Sequence, residues 1–238
     1  MANPFFFRKL PEPIKNPLRQ IRNWLSTKSN NPHNSCSPVI EKEIVLESLP
    51  NVPDLFCQYR QLLTYPEIER KPGGFFYRGK FYPDYLHVGG ASFGILREAK
   101  KYCWGVGIDI GAGYWPYPGA IPVDLFRGPG YGKVVQDFND NSLDYVFSSH
   151  CLEHIENWKP VLKSWIIKIK VGGILLLYLP HPDCEIWHPG SPFVGDGHKW
   201  IPFPENIRKE LKEIGCDILA YDDGPDTMMS FFVCSRKL

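Results

Sequence analysis

Between Gly107 and Leu125 the chain reads GIDIGAGYWPYPGAIPVDL. An apolar, β-favouring run (Val106, Ile108, Ile110) stops at Gly111-Ala112-Gly113, and a second apolar run, Ala120 to Val123, stops at an acid, Asp124. Strand, glycine turn, strand, acid is how an open α/β sheet forms a nucleotide-sized pocket at its strand ends. The glycines let the backbone approach the ligand, and the acid accepts hydrogen bonds from ribose hydroxyls. Further along, His150-Cys151-Leu152-Glu153-His154 has HxxEH spacing. On a helix, histidines four apart share a face and bind zinc, with the glutamate as base, the pattern of a zinc-dependent hydrolase. The segment begins directly after a strand, however, and no third ligand stands nearby at an evident spacing. A third group follows the apolar run Ile174 to Leu179: Pro180-His181-Pro182-Asp183-Cys184, then His188 and Gly197-His198-Lys199-Trp200. This loop leaves the carboxyl end of a central strand, the edge where such sheets bind ligands. His181, His198 and Asp183 are therefore the candidate catalytic residues of an acceptor pocket, a histidine being suited to take a proton near neutral pH. Loop-capping hydrogen bonds are the plainer alternative for each.

The elements that must position these groups alternate from Gly105 onward. Strands are expected at 106–110, 120–124, 133–135, 143–148, 173–179, 216–221 and 229–234, and helices at 151–170 and 204–214, a pattern that implies a mostly parallel sheet. The last two strands are joined by Asp222-Asp223-Gly224-Pro225-Asp226 alone, which is too short for a parallel crossover and makes an antiparallel hairpin. Ten residues separate Gly113 from Asp124. That is too few for a full crossover helix, so the link must shrink to a turn, with loss of helix N-terminal amides.

Upstream, residues 54–71 read as a helix broken at Pro66, 72–90 as an aromatic, glycine-rich loop or hairpin, and 91–103 as a helix. Residues 1–53 are rich in Pro, Asn and Ser and are expected to be a largely flexible tail, with a mobile linker over 26–38. Within that tail Ile14, Leu18, Ile21 and Leu25 recur at helical spacing among Lys15, Arg19 and Arg22. They form either a peripheral membrane contact or a short helix packed on its own domain. The organisation expected is thus a tail (1–53), an extension packed on the core (54–103) and one α/β domain (104–238).

Composition narrows the partners. Residues 1–105 carry 15 Lys/Arg against 9 Asp/Glu, and residues 106–238 carry 12 against 17. The half with the glycine turn is net acidic and would repel a phosphate backbone, so no nucleic acid is expected as partner. The seven cysteines are scattered, without a CxxC, which fits a reducing, cytoplasmic setting better than a disulfide framework. No apolar run approaches the roughly 20 residues of a membrane span.

Taken together, these pieces resemble the class I S-adenosylmethionine-dependent methyltransferases, in particular a methyltransferase type 11-like branch with a shortened first loop. The resemblance covers about residues 104–234 and rests on four pieces in family order: IDIGAG followed by VDL; Gln136-Asp137-Phe138 and the run Asn139 to His150; Cys151-Leu152-Glu153-His154-Ile155; and Val171-Gly172-Gly173-Ile174-Leu175-Leu176. It implies a Rossmann-like, seven-stranded α/β methyltransferase sheet closed by the C-terminal antiparallel hairpin, with S-adenosyl-L-methionine as cofactor and no metal. By resemblance, Asp109 with Gly111, Ala112 and Gly113 would hold the amino-acid end of the cofactor. Asp124, followed by Leu125, would take the ribose. Asp137 would accept from the adenine amino group, with Phe138 lining the ring, and Ser149 and His150 would lie below the methionine part. Trp115 stands where the family's fuller turn has a third glycine. The implied activity is methyl transfer to a small-molecule or sugar-containing acceptor. Aromatics dense in 72–90 and recurring at Trp187, Phe193 and Trp200 would cover that acceptor or else simply pack the extension. A non-catalytic methyltransferase-fold binding protein and the zinc hydrolase are the alternatives.

Overall fold

Tight turns shape the start of the chain as described by the computed structural model, which covers residues 66–83, 86 and 91–238. Strands β1 (Ile68–Lys71), β2 (Gly74–Tyr77) and β3 (Lys80–Pro83) form an antiparallel meander. Pro72 with Gly73 at φ 74° closes the first turn, and Arg78 with Gly79, at φ 51° and 78°, closes the second. Proline then glycine suits a type II turn, whereas two left-handed residues suit type I′. The helix expected over 54–71 is thus corrected at its end: Ile68–Lys71 is a strand, because the Pro-Gly turn lets it pair with Gly74–Tyr77. The expectations for residues 1–65 lie outside the described residues, all of which belong to the unit Asp54–Leu238.

Residues 91–103, expected as one helix, form a 3-10 turn (Ala91–Gly94) and a single short helix, α1 (Leu96–Ala99). The main sheet then contains β4 (Gly107–Ile110), β5 (Ile121–Val123), β6 (Leu143–Ser149), β7 (Ile169–Pro180), β8 (Cys216–Asp222) and β9 (Ser230–Lys237). Their order is β5-β4-β6-β7-β9-β8, with β5, β4, β6 and β7 parallel and β9 antiparallel to both of its neighbours. The C-terminal hairpin is therefore present. Among the described residues the sheet has six strands rather than the seven expected. The strand anticipated at 133–135 is replaced by a 3-10 turn, Val135–Asp137. The preceding Gly128-Pro129-Gly130-Tyr131-Gly132 keeps the chain in turns, and only the isolated pair Asp124–Tyr131 continues the sheet past β5.

Strand alternation sends side chains to two faces. On one, Ile108, Ile110, Val146, Leu175, Leu177 and Leu179 pack against Leu162, Trp165 and Ile166 of α2 (Trp158–Lys168) and Ile207 and Leu211 of α3 (Pro204–Glu213). On the other, Tyr145, Phe147, Leu176 and Tyr178 meet Ile95, Leu96, Ala99 and Tyr117. Burying each large apolar side chain contributes about 1.5–3 kcal/mol. Both faces are thus covered, and the open edge left for chemistry is the carboxyl end of β4, β5, β6 and β7.

Candidate functional site

The link from β4 to β5 contains no helix. Tyr117 does that helix's work: its ring stacks on Phe147 at 4.8 Å, and its backbone N–H donates to Asp109 Oδ2 at 2.7 Å. Asp109 itself, on β4, is 2% exposed, and burial pushes its carboxyl up to about 7, with the charge of Asp124 adding to the rise and the Tyr117 amide opposing it. Beyond β4 the turn takes Gly111 to φ 77° and Gly113 to φ 50°. A Cβ on Gly111 would stand 2.4 Å from Cys151 Cβ, so this glycine is required by close packing as well as by its dihedral.

Three turn amides are directed at the end of β5. Gly111 and Ala112 donate to the Val123 carbonyl at 2.9 and 3.3 Å, and Gly113 donates to Asp124 Oδ2 at 2.9 Å. Asp124 Oδ1 accepts from Phe126 and Arg127 at 2.8 and 2.9 Å. A carboxylate offers about four lone-pair directions; three are taken here, which leaves one for a ribose hydroxyl. Nothing lies within 4 Å of where a Cβ on Gly113 would stand, so the outer side of the turn is open. On its other side Gly128 is packed so closely that a Cβ there would fall 1.7 Å from the Gly113 oxygen. These features fit the amino-acid and ribose ends of a nucleoside cofactor. The spacing GPGYG at 128–132 was the sequence signal for this loop-on-turn packing, and the sequence reading passed over it.

The other cofactor candidates are more dispersed. Leu125 is 55% exposed next to Asp124. Asp137 is exposed and accepts from Val134 N–H at 2.9 Å, capping its own 3-10 turn, while Phe138 packs against the main core. Ser149 ends β6, and His150 follows at φ 49° with its amide on the Tyr178 carbonyl at 2.9 Å.

The three candidate catalytic residues do not form one group. His181 leaves the end of β7, and its Nδ1 accepts from the Asp183 amide at 3.0 Å. The neutral ring therefore carries its proton on Nε2 and presents a donor, not a base. The Asp183 side chain is 63% exposed. His198 is 6% exposed, and its ring meets His154 edge-on at 4.5 Å beside Glu153. The segment 150–154 is not the helix turn that HxxEH would need: Leu152–His154 is a 3-10 turn.

The aromatics are largely spent on packing. Phe75 and Tyr77 contact the Phe193 ring at 5.0 and 5.7 Å, the Tyr82 hydroxyl accepts from Glu185 N–H at 3.2 Å, and Trp200 stacks on Trp158 at 4.6 Å. The extension thus clamps the loop that follows β7.

Residues 128–177 match a family model described as a methyltransferase domain. No curated protein sequence matches the chain. Among solved structures, an S-adenosylmethionine-dependent methyltransferase from Mesorhizobium loti is similar at 16% identity and TM-score 0.48, covering 63% of this chain and 99% of that one. One from Archaeoglobus fulgidus is similar at 18% identity and TM-score 0.47, covering 63% and 95%. The 1,6-didemethyltoxoflavin-N1-methyltransferase of Burkholderia thailandensis is similar at 13% identity and TM-score 0.46, covering 87% and 93%. The family-model match falls on β6, α2 and most of β7, within the sheet ordered β5-β4-β6-β7-β9-β8.

Proposed function

We propose that this protein transfers a methyl group from S-adenosylmethionine to a small-molecule or sugar-containing acceptor. The observation that carries the reading is the pair of buried acids either side of the Gly111-Ala112-Gly113 turn, Asp109 on β4 and Asp124 directly after the parallel β5. The cofactor's sulfonium supplies an electrophilic methyl carbon, so the protein's task is mainly alignment. In this reading Asp109 and the turn hold the amino-acid end, Asp124 takes the ribose, Asp137 and Phe138 face the adenine, and Ser149 and His150 underlie the methionine part. His181, whose Nε2 carries the proton in the neutral ring because Nδ1 accepts from the Asp183 amide, orients the acceptor from the end of β7. The net acidic balance of residues 106–238 favours an acceptor without a phosphate backbone. Among the described residues, no helix is long and apolar enough to cross a membrane.

Calorimetry with S-adenosylhomocysteine tests the cofactor, and labelled-methyl transfer to a panel of saccharides and small hydroxyl or amine compounds tests the acceptor. No binding at millimolar ligand would refute the reading. Tight product binding with no turnover on any acceptor would favour the non-catalytic binding protein, and salt-sensitive nanomolar binding of RNA or DNA would overturn the acceptor class.

A further inference from the structure

Glu153 is a buried carboxylate with nothing to hold it. Its side chain is fully buried, and neither oxygen has a hydrogen-bond partner among the described residues. Leaving such a group unpaired in a core is costly, so native proteins rarely do it. Three imidazoles surround it: His150 Nδ1 at 3.7 Å, His198 Nε2 at 3.8 Å and His154 Nε2 at 3.9 Å, all measured to Oε1.

The outer nitrogens of these rings settle what faces inward. His154 Nδ1 lies 2.9 Å from the Gly197 carbonyl and His198 Nδ1 lies 2.7 Å from the Trp187 carbonyl. A carbonyl only accepts, so both nitrogens carry the proton. His150 Nε2 lies 2.8 Å from Ser230 Oγ, whose own hydrogen is donated to the Met228 carbonyl at 2.9 Å; this nitrogen too is the donor. The other nitrogen of each ring faces the Glu153 carboxyl. Three ring nitrogens and a carboxyl oxygen thus converge with no hydrogen bond among them. A single proton on Glu153 does not resolve this, because every separation exceeds hydrogen-bonding distance.

We propose that Glu153, His154 and His198 bind one divalent transition-metal ion, zinc by their donor set. Imidazole and carboxylate oxygen suit that ion, and metal-bound histidines characteristically donate their far N–H to a carbonyl, as His154 and His198 do here. Zinc–ligand distances of about 2.0–2.1 Å in a tetrahedron set neighbouring donor atoms about 3.3 Å apart. His198 Nε2 and His154 Nε2 stand 3.8 and 3.9 Å from Glu153 Oε1, close to that spacing. The ligating atoms of Glu153, His154 and His198 already lie within 4.8 Å of one another. The ion would fasten the loop after β7 to the segment after β6, a junction otherwise held by Lys199 N–H on the Glu153 carbonyl at 2.8 Å and by Trp200 Nε1 on the Leu152 and Ile155 carbonyls. The sequence reading assigned no metal, because the third ligand comes from a distant loop.

The test uses the full chain, stripped with chelator and titrated with zinc against a chromophoric competitor, without cofactor, so that its outcome is separate from that of the methyl-transfer reading. Expected is about one equivalent of zinc bound tightly, with affinity falling at least about tenfold in Glu153→Gln and in His198→Ala, and unchanged in His188→Ala, whose ring lies on the Pro182 carbonyl instead. Circular dichroism checks that the variants fold; His154→Ala, the most exposed ligand, serves if the buried ones do not. Cobalt loaded in place of zinc should give the intense visible absorption of a tetrahedral site. A folded wild-type chain that takes up no zinc, or an affinity unaltered in the folded ligand variants, overturns the proposal.

Discussion

The Asp124 carboxylate draws in the Gly113 amide at 2.9 Å, tying the end of β5 to the glycine turn after β4. The same carboxylate holds the Phe126 and Arg127 amides, so one 8%-exposed acid organises both loops of the strand edge. Replacing Asp124 with alanine strands three donors. We expect a stability loss of about 2–4 kcal/mol and at least a tenfold loss of S-adenosylhomocysteine affinity, read by thermal melts and calorimetry on one preparation. Cofactor-product affinity equal to wild type in a folded Asp124→Ala variant would remove this acid from the ribose site.

Two glycines of this edge should respond unequally to the same change. Gly113, at φ 50°, has open space where a Cβ would stand, so Gly113→Ala bears only the left-handed backbone cost of about 1–2 kcal/mol. Gly128, at φ 73°, would drive its Cβ to 1.7 Å from the Gly113 oxygen. That is backbone against backbone, so the loop must move, and Gly128→Ala should cost about 3 kcal/mol or more. Equal melting temperatures for the two variants would mean that the loop does not rest on the turn.

Asp109 predicts a pH dependence. Its folded-state carboxyl titrates near 7, chiefly through burial, against an ordinary value of 3.8. Between those values the native state keeps a proton that the unfolded chain has lost. Stability therefore falls as pH rises from about 4 to about 7 and levels off above, by up to about 4 kcal/mol. Asp109→Asn retains an acceptor for the Tyr117 amide and should flatten that slope. Urea unfolding of both chains at pH 5 and pH 8 decides it: parallel losses would show that Asp109 is not the titrating group.

The sheet was largely legible because strand alternation and length are local signals: β4, β6, β7, β8 and β9 fall where apolar runs stand. Residues 133–135 misled because Val134 and Val135 look like strand, yet the glycines of 128–132 spend the chain length in turns. Ile68–Lys71 misled because its partner strand, and not its own periodicity, makes it extended. The edge acids were readable from spacing to glycine. The convergence of Glu153 with His198 was not, since it depends on Trp200 and Lys199 docking a distant loop onto residues 152–155.

His181 gives the sharpest test of the acceptor side. Its Nδ1 is engaged by the Asp183 amide, and its side chain is only 13% exposed at the end of β7. The neutral ring is thus held in one tautomer with its proton on Nε2, which suits orienting an acceptor oxygen or nitrogen by donation. Losing one such oriented bond should lower kcat/KM on an identified acceptor about tenfold to a hundredfold. S-adenosylhomocysteine affinity should stay at the wild-type value, because His181 lies outside the β4–β5 turn. Asp183→Ala should cost far less, since the backbone amide and not the exposed carboxylate fixes the ring. Full turnover in His181→Ala, or a matched loss of turnover and cofactor-product affinity, would move the acceptor away from the end of β7.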